Sequence, residues 1–156
     1  MSHSLFLTVI ALTVIAGQTP GVNGNKAIET KHLSVTPSVS SAGGRFTLVV
    51  DVAPKPRMHV YAPEQKDFIA ISLALTAADG VTPGKAVYPK GEKLFFPELK
   101  ETQFVYSKPF RITQPIAIAK GAASPTTITG TVRYQACDDS VCYLPQDVKV
   151  SWTLPR

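Results

Sequence analysis

The chain has 156 residues, which is enough for one domain with an ordinary hydrophobic core and little more. Its formal net charge of +5 comes from scattered lysines and arginines, and no basic tract interleaves with aromatic residues, so we expect no nucleic-acid partner. The sequence lacks G-x-S-x-G, H-E-x-x-H, P-loop and G-x-G-x-x-G motifs, so the familiar hydrolase, zinc-protease and nucleotide-binding classes have no support.

The first 24 residues contain no Lys, Arg, Asp or Glu, and residues 5–16 (LFLTVIALTVIA) are nearly all apolar. That run is too short for a stable membrane span, but it has the length of the apolar region of an export signal. The small and turn-forming residues of GQTPGVNG follow it, as is typical around a cleavage site. We therefore predict a signal peptide over about residues 1–24 and a single exported domain over residues 25–156. The alternatives are an uncleaved N-terminal anchor or a buried strand.

After residue 24, apolar and polar residues alternate with the period of a half-buried strand. The first such stretch is RFTLVVDV, in which Phe46, Leu48, Val50 and Val52 share one face. Similar patterns follow at residues 69–75, at 104–112 with an interruption at Lys108-Pro109, at 128–136 and at 148–154. Alanines around residues 70–78 leave a helix as an alternative there. Short strands separated by Pro and Gly turns predict an all-β fold, an antiparallel β-sandwich.

The only two cysteines, Cys137 and Cys142, lie in the stretch RYQACDDSVCYLPQ, and the aspartates between them favour a turn. Facing ends of two antiparallel strands bring Cα atoms within reach of a disulfide, and an exported chain meets an oxidising compartment. So short a loop would stabilise the fold by only about 2 kcal/mol, which is little for a structural staple. Most disulfides in exported proteins are nevertheless structural, so the residues alone leave both a structural and a redox role open.

A metal site is the third possibility for the cysteines. Structural zinc needs four ligands, and this sequence offers one cysteine pair with no histidine at ligand spacing beside it. Cu(I) accepts thiolates and thioethers, so Cys137 and Cys142 with Met58 and His59 are chemically conceivable ligands. Nothing in the spacing requires that site. We expect no metal and no cofactor, and we interpret Met58 and His59 as ordinary residues at the start of a strand.

The cysteine hairpin resembles the active-site hairpin of the N-terminal periplasmic domain in the thiol:disulfide interchange protein DsbD family. The matching positions are Tyr134, Gln135, Cys137, Asp138, Cys142, Tyr143 and Pro145. Weaker similarity extends to MHVYAPE near residue 60 and FVYSKPF near residue 106. The resemblance implies an immunoglobulin-like β-sandwich, in agreement with the strand pattern. It also implies thiol–disulfide exchange, of a protein-disulfide reductase type.

The resemblance also implies roles for individual residues. Cys142 would form mixed disulfides with partners, and Cys137 would be its internal partner. A cap loop with an aromatic tip covers the disulfide in this family, and KLFFPELKET (residues 93–102) corresponds to it here. Phe95, Phe96 or Leu99 would be the shield, with plain core packing as the alternative. Assistance in proton transfer would come from Asp138, Asp139 or Tyr134, for which turn formation or strand packing is the simpler explanation.

The implied partners are thioredoxin-like periplasmic proteins and a membrane protein that conducts electrons. The chain itself would meet the membrane only through that partner. We expect the exported chain to lie in the periplasm, with secretion as the alternative. The competing hypothesis is a non-catalytic immunoglobulin-like module that binds a protein partner and uses its hairpin disulfide only as a staple. Accessibility and reduction of the disulfide distinguish the two hypotheses.

Overall fold

The structure is a computed structural model that describes residues 22–24, 26–97, 100–122 and 127–154. The predicted signal peptide therefore lies outside the described residues, except for residues 22–24. Every regular element in the described ranges is a β-strand, and each pairing between strands is antiparallel. Those ranges contain no helix with the length and hydropathy needed to cross a membrane.

The described residues form thirteen strands. In chain order they are β1 (Val22–Gly24), β2 (Ile28–Glu29), β3 (Leu33–Ala42), β4 (Arg45–Pro54), β5 (His59–Tyr61), β6 (Ser72–Leu75), β7 (Val81–Pro83), β8 (Glu92–Phe96), β9 (Glu101–Tyr106), β10 (Phe110–Ile118), β11 (Thr127–Tyr134), β12 (Ala136–Cys137) and β13 (Gln146–Thr153).

The strands form three sheets that share one hydrophobic core. The largest has the order β1-β3-β4-β10-β7, with β2 also paired to β3, and the other two have the orders β13-β11-β6 and β12-β5-β9-β8. Buried side chains from all three sheets meet in a single cluster, whose members include Leu33, Leu48, Val60, Leu73, Ile112, Val132 and Trp152. The indole Nε1 of Trp152 donates a 3.0 Å hydrogen bond to the carbonyl oxygen of Val49 across this core. The all-β, immunoglobulin-like β-sandwich expected from the sequence is confirmed.

Most of the strands expected from alternation are present. Residues 69–75 contain the strand β6, so the strand prediction is confirmed there and the helical alternative is wrong. Residues 104–112 do not form one interrupted strand, because the chain turns at residues 107–109 and continues in another sheet. The first part is the end of β9, which pairs with β5 and β8, and the second is the start of β10, which pairs with β4 and β7.

The segment that carries the first cysteine changes sheets at Gln135. Up to Tyr134, β11 pairs with β13 and β6, whereas Ala136 and Cys137 form β12 and pair with β5. Because of this change, the cysteines belong to the β12-β5-β9-β8 sheet. The sequence pattern at 128–136 predicts a single strand there and contains no sign of the change.

The β12-β5-β9-β8 sheet is buried on both faces in its centre, and its two faces have different roles. Side chains alternate between the faces of a strand. One face joins the main core through Val60, Ala62, Tyr106 and Ala136. The opposite face carries a separate small cluster of Tyr61, Val105 and Cys137, against which Phe68 and Ala70 pack. The first cysteine therefore points away from the main core, and we call this second face the cysteine face.

Candidate functional site

Cys137 and Cys142 are joined by a disulfide, with 4.0 Å between their Cα atoms. Their backbones pair as an isolated antiparallel bridge, so the disulfide closes the mouth of a hairpin, as the sequence suggests. The two cysteines differ sharply in exposure. Cys137 is only 1% exposed, whereas Cys142 is an exposed residue. Of the two residues, Cys142 is therefore the one in contact with solvent.

Asp138 organises the turn between the two cysteines. The backbone N–H groups of Ser140 and Val141 each donate a 2.8 Å hydrogen bond to one carboxylate oxygen of Asp138. The hydroxyl of Tyr143 donates a 2.7 Å hydrogen bond to the other oxygen. The Tyr143 bond, followed by the two backbone bonds, lowers the pKa of Asp138 to about 2. The carboxylate is therefore charged at neutral pH and serves as the acceptor that shapes the turn.

Asp139, the second aspartate of the turn, points to a different neighbour. It forms an ion pair with Arg57, with 3.3 Å between guanidinium nitrogen and carboxylate oxygen, and both side chains are largely exposed. Exposed pairs of this kind contribute about 0–1 kcal/mol. Asp138 and Asp139 both line the cleft beside the disulfide, so the turn brings two carboxylates to the site.

The hydroxyl of Tyr61 lies 3.4 Å from the Sγ atoms of both Cys137 and Cys142. Because a disulfide sulfur carries no hydrogen, the hydroxyl is the donor in these contacts. The Tyr61 ring is buried and stacks on Phe68 with 4.4 Å between ring centroids, which fixes its position. Burial, and then the charge of Glu101, raises the pKa of Tyr61, so the hydroxyl keeps its proton. Tyr61 therefore offers a hydrogen-bond donor to either sulfur.

His59 lies directly opposite Cys137 in the pairing of β5 with β12. It is 4% exposed, and its ring centroid lies 5.2 Å from that of Phe96. Burial lowers the pKa of His59, while the charges of Asp139 and Asp138 oppose that effect. The Nε2 atom has no hydrogen-bond partner among the described residues. The neutral ring thus leaves one buried nitrogen without a partner beside the disulfide.

A cleft of about 600 Å³ lies between the disulfide and the hairpin of β8 and β9. The sheet side of the cleft is lined by His59, Tyr61 and the two cysteines. The turn at residues 138–141 lines one flank. On the hairpin side it is lined by Leu94, Phe95, Phe96 and Pro97. The buried side chain of Gln103 also reaches it, and its amide Nε2 has no partner among the described residues.

The three cap candidates have different positions. Phe96 is partly buried and packs against His59, whereas Phe95 is 58% exposed at the rim of the cleft. Leu99 lies outside the described residues. Of the two described candidates, Phe96 is the one whose ring packs against the cysteine face, at His59.

Tyr134 is the one expected assisting residue that the structure places elsewhere. Its ring belongs to the main core, and its hydroxyl contacts Thr30 at 3.0 Å and Gln146 at 2.8 Å. It is not among the residues that line the cleft. The structure brings His59, Tyr61 and Gln103 to the cysteines instead. No local pattern singles these three out, because their positions depend on pairing between strands far apart in sequence.

A second histidine supports the hairpin from its other side. His32 is buried and stacks on Tyr143, with 4.3 Å between ring centroids. Neither ring nitrogen of His32 has a hydrogen-bond partner among the described residues. Within those residues, no group of three or more His, Cys, Asp or Glu side chains is arranged to hold a metal ion.

Among the solved structures that resemble this chain, two are N-terminal domains of low sequence identity to it. The N-terminal periplasmic domain of ScsB from Proteus mirabilis matches with a TM-score of 0.55 and 14% identity, over 85% of this chain and 51% of that one. This chain thus spans about half the length of the ScsB domain, and the likeness concerns the fold. The reduced N-terminal domain of DsbD from Neisseria meningitidis matches with a TM-score of 0.49 and 20% identity, over 76% of this chain and 89% of that one.

Comparison with curated protein sequences finds no match. Comparison with protein families does. The family described as "Thiol:disulfide interchange protein DsbD, N-terminal" matches residues 27–153, which is most of the chain and includes both cysteines. The resemblance of the cysteine hairpin is thus part of a similarity that spans the β-sandwich, and the chain belongs to the family of DsbD N-terminal domains.

Proposed function

We propose that this chain is a periplasmic thiol–disulfide exchange domain that relays reducing equivalents through Cys137 and Cys142. The observation that carries the proposal is the asymmetry of the disulfide. Cys142 is exposed beside a cleft, while Cys137 is buried. A structural staple needs no such difference, whereas exchange needs one sulfur open to attack and one kept ready to resolve the mixed disulfide. Membership of the DsbD N-terminal family supports the same chemistry.

Reduction of the domain proceeds in two exchanges. The thiolate of a reduced partner attacks Cys142 Sγ, a partner–Cys142 disulfide forms, and the electron pair of the broken bond leaves on Cys137 Sγ. The second thiolate of the partner then attacks its own mixed-disulfide sulfur and releases Cys142, so the partner is oxidised and the domain holds two thiols after proton uptake. Tyr61 can donate a hydrogen bond to either departing sulfur. The same steps in reverse reduce an oxidised partner, with Cys137 as the resolving thiolate.

The proposed partners are thioredoxin-like proteins on one side and a membrane protein that conducts electrons on the other. The rim of the cleft supports a protein partner, because it carries the exposed apolar side chains of Leu94, Phe95 and Val141. The direction of electron flow depends on the reduction potentials of the partners. We further propose that residues 1–24 direct export and that residues 25–156 are the mature domain.

The reduction potential of the Cys137–Cys142 pair tests the proposal. The chain is equilibrated with glutathione and dithiothreitol buffers, and free thiols are trapped and counted. We expect a potential of about −180 to −270 mV, the range of known exchange proteins. A disulfide that resists reduction until the fold is lost would contradict exchange and leave a binding module with a structural disulfide. Trapping with Cys137→Ser, which leaves the exposed Cys142 without its internal partner, should capture a thioredoxin-like protein as a mixed disulfide.

A further inference from the structure

A row of three side chains crosses the cysteine face. His59 pairs directly with Cys137, and Cys137 pairs directly with Cys142. Directly opposed residues of antiparallel strands project to the same face, with Cβ atoms about 4.5–5.5 Å apart. Cys137 therefore has the disulfide partner on one side and the imidazole of His59 on the other. When the bond to Cys142 opens, the cross-strand neighbour that remains beside Cys137 is this histidine.

The Nε2 atom of His59 makes no hydrogen bond with any described residue in the oxidised structure. The residue is 4% exposed and lines the cleft, yet Nε2 has no hydrogen-bond partner among the described residues. Buried polar groups without partners are rare because each loses its hydration without compensation. Disulfide sulfurs are weak acceptors, whereas a thiolate is a strong one. The Cys137 thiolate, which forms when the disulfide opens to a mixed disulfide or when the reduced Cys137 thiol ionises, thus supplies the acceptor that the oxidised state lacks.

We propose that His59 is a positioning residue for the exchange, whose Nε2–H donates a hydrogen bond to Cys137 Sγ when the disulfide opens. The electron pair of the broken S–S bond stays on Cys137, and no proton leaves the imidazole. The hydrogen bond stabilises the buried thiolate and keeps it in place for its return attack on Cys142. Tyr61 is the second donor, from the same strand. The inference rests on the proposed function for its purpose, but the hydrogen bond itself requires only that the disulfide be opened and that Cys137 carry the thiolate.

The groups around Cys137 have opposing effects on its thiol. Asp138 and Asp139 bring negative charge from the turn, and Glu101 brings it from β9, and all three disfavour a thiolate. Arg57 is ion-paired with Asp139. His59 and Tyr61 from β5 are the donors that favour the thiolate, while Gln103 from β9 and Phe96 from β8 are uncharged. Burial lowers the pKa of His59, so at neutral pH its ring is neutral and keeps one N–H to donate.

The pKa of the Cys137 thiol tests the proposal. It is measured from the ultraviolet absorbance of the thiolate in a Cys142→Ser chain, where Cys137 is the only cysteine. Adding His59→Phe removes the donor and should raise the thiol pKa by about one unit. At a fixed pH below the thiol pKa, this corresponds to about tenfold less thiolate. Adding His59→Gln places an amide N–H at the same position and should restore most of the thiolate.

His32→Phe is the matched control, because His32 is also a buried histidine without ring hydrogen bonds among the described residues but stacks on Tyr143. It should leave the thiol pKa unchanged. An unchanged pKa in His59→Phe, an equal shift in His32→Phe, or no rescue by His59→Gln would each overturn the proposal.

A second measurement needs no substitution at all. The ring N–H resonances of His59 are followed by ¹⁵N NMR in the oxidised and the reduced wild-type chain, both at a pH above the Cys137 thiol pKa, where the reduced chain carries the thiolate. We expect the Nε2–H signal to move downfield and to exchange more slowly with water after reduction, because it becomes hydrogen-bonded to sulfur. The same signal in both states would overturn the proposal. Both measurements need only the isolated chain, so a failure here is distinguishable from a failure of the exchange function, which is read from the reduction potential.

Discussion

Tyr143 donates a 2.7 Å hydrogen bond to Asp138, so the residue after the second cysteine holds the residue after the first. The bond runs beside the disulfide and connects the same two ends of the hairpin. Asp138 also accepts the N–H groups of Ser140 and Val141 inside the turn. None of these three hydrogen bonds involves a sulfur atom. We infer that the hairpin keeps its shape when the disulfide opens, so Cys137 stays close to Cys142 for the return reaction.

The Asp138 carboxylate should make the stability of the chain depend on acidic pH. Its pKa is lowered to about 2 in the folded state, against about 3.9 in an unfolded chain. A lowered carboxyl pKa stabilises the fold above the unfolded value, and that stabilisation is lost as the pH falls through the folded value. We expect wild type to be more stable than Asp138→Asn at pH 5–7, with the difference shrinking between about pH 4 and pH 2. Thermal unfolding of both chains over this pH range measures it.

Asn is a suitable replacement because its amide oxygen can still accept the two backbone N–H groups, while it carries no charge. Asp139→Asn is the control, since it removes a charge from the next position without removing any bond to Ser140, Val141 or Tyr143. The interpretation fails if the difference between wild type and Asp138→Asn is the same at pH 2 as at pH 6.

The two cysteines should react at different rates with an alkylating reagent. In Cys137→Ser the remaining thiol is the exposed Cys142, and in Cys142→Ser it is the buried Cys137. Because thiol reactivity depends on access and on thiolate character, we expect Cys137→Ser to react at least about tenfold faster with iodoacetamide. Each variant is the control for the other, since both lose the same disulfide. Equal rates in the two folded variants would remove the asymmetry on which the proposed function depends.

The sequence predicts the scaffold of this site better than the site itself. Alternation in RFTLVVDV corresponds to β4, and the cysteine spacing with its two aspartates corresponds to the disulfide-closed turn. These features are local, so a short stretch of sequence contains the whole signal. A local signal cannot show which strands pair, and the single strand expected at 104–112 is wrong for that reason. Alternation continues on both sides of Lys108-Pro109, although the two parts pair with different strands.

His59 shows why the rest is not predictable. As a sequence feature it is one histidine at the start of a predicted strand, and from the sequence we interpret it as an ordinary residue there. Its importance comes from pairing with Cys137, which lies 78 positions later and reaches β5 only because the chain changes sheets at Gln135. Tyr134 is the opposite case. Its neighbours in sequence connect it with the cysteines, but alternation directs its ring into the main core.

Tyr61→Phe should slow the reduction of the disulfide. The Tyr61 hydroxyl lies 3.4 Å from both sulfurs, and it can donate to the charge that develops on Cys137 as the S–S bond breaks. A hydrogen bond to a charged group contributes about 1.5 kcal/mol or more, which corresponds to roughly a tenfold lower rate. The rate is measured with dithiothreitol under pseudo-first-order conditions, and phenylalanine keeps the ring that stacks on Phe68.

Tyr134→Phe is the matched control for Tyr61→Phe. It also removes a buried hydroxyl, but one that contacts Thr30 and Gln146 in place of sulfur. We expect it to lower the free energy of unfolding by about 1 kcal/mol and to leave the reduction rate unchanged. If reduction of the disulfide were equally slow in both variants, the contact of the Tyr61 hydroxyl with the sulfurs would not explain the effect of Tyr61→Phe. Reduced stability of the fold would then be the explanation.

Phe96→Ala should open the path from solvent to the cysteine face. The Phe96 ring packs against His59 and lines the cleft beside the disulfide, so its removal leaves the sulfurs less covered. We expect reduction by dithiothreitol to become roughly threefold faster or more, because Phe96 lines the cleft through which a thiolate reaches Cys142. Phe95→Ala is the matched control, since the Phe95 ring is 58% exposed at the rim. It should leave the dithiothreitol rate unchanged and slow only exchange with a thioredoxin-like protein, which needs the apolar rim. Equal dithiothreitol rates in wild type and Phe96→Ala would mean that Phe96 does not shield the disulfide.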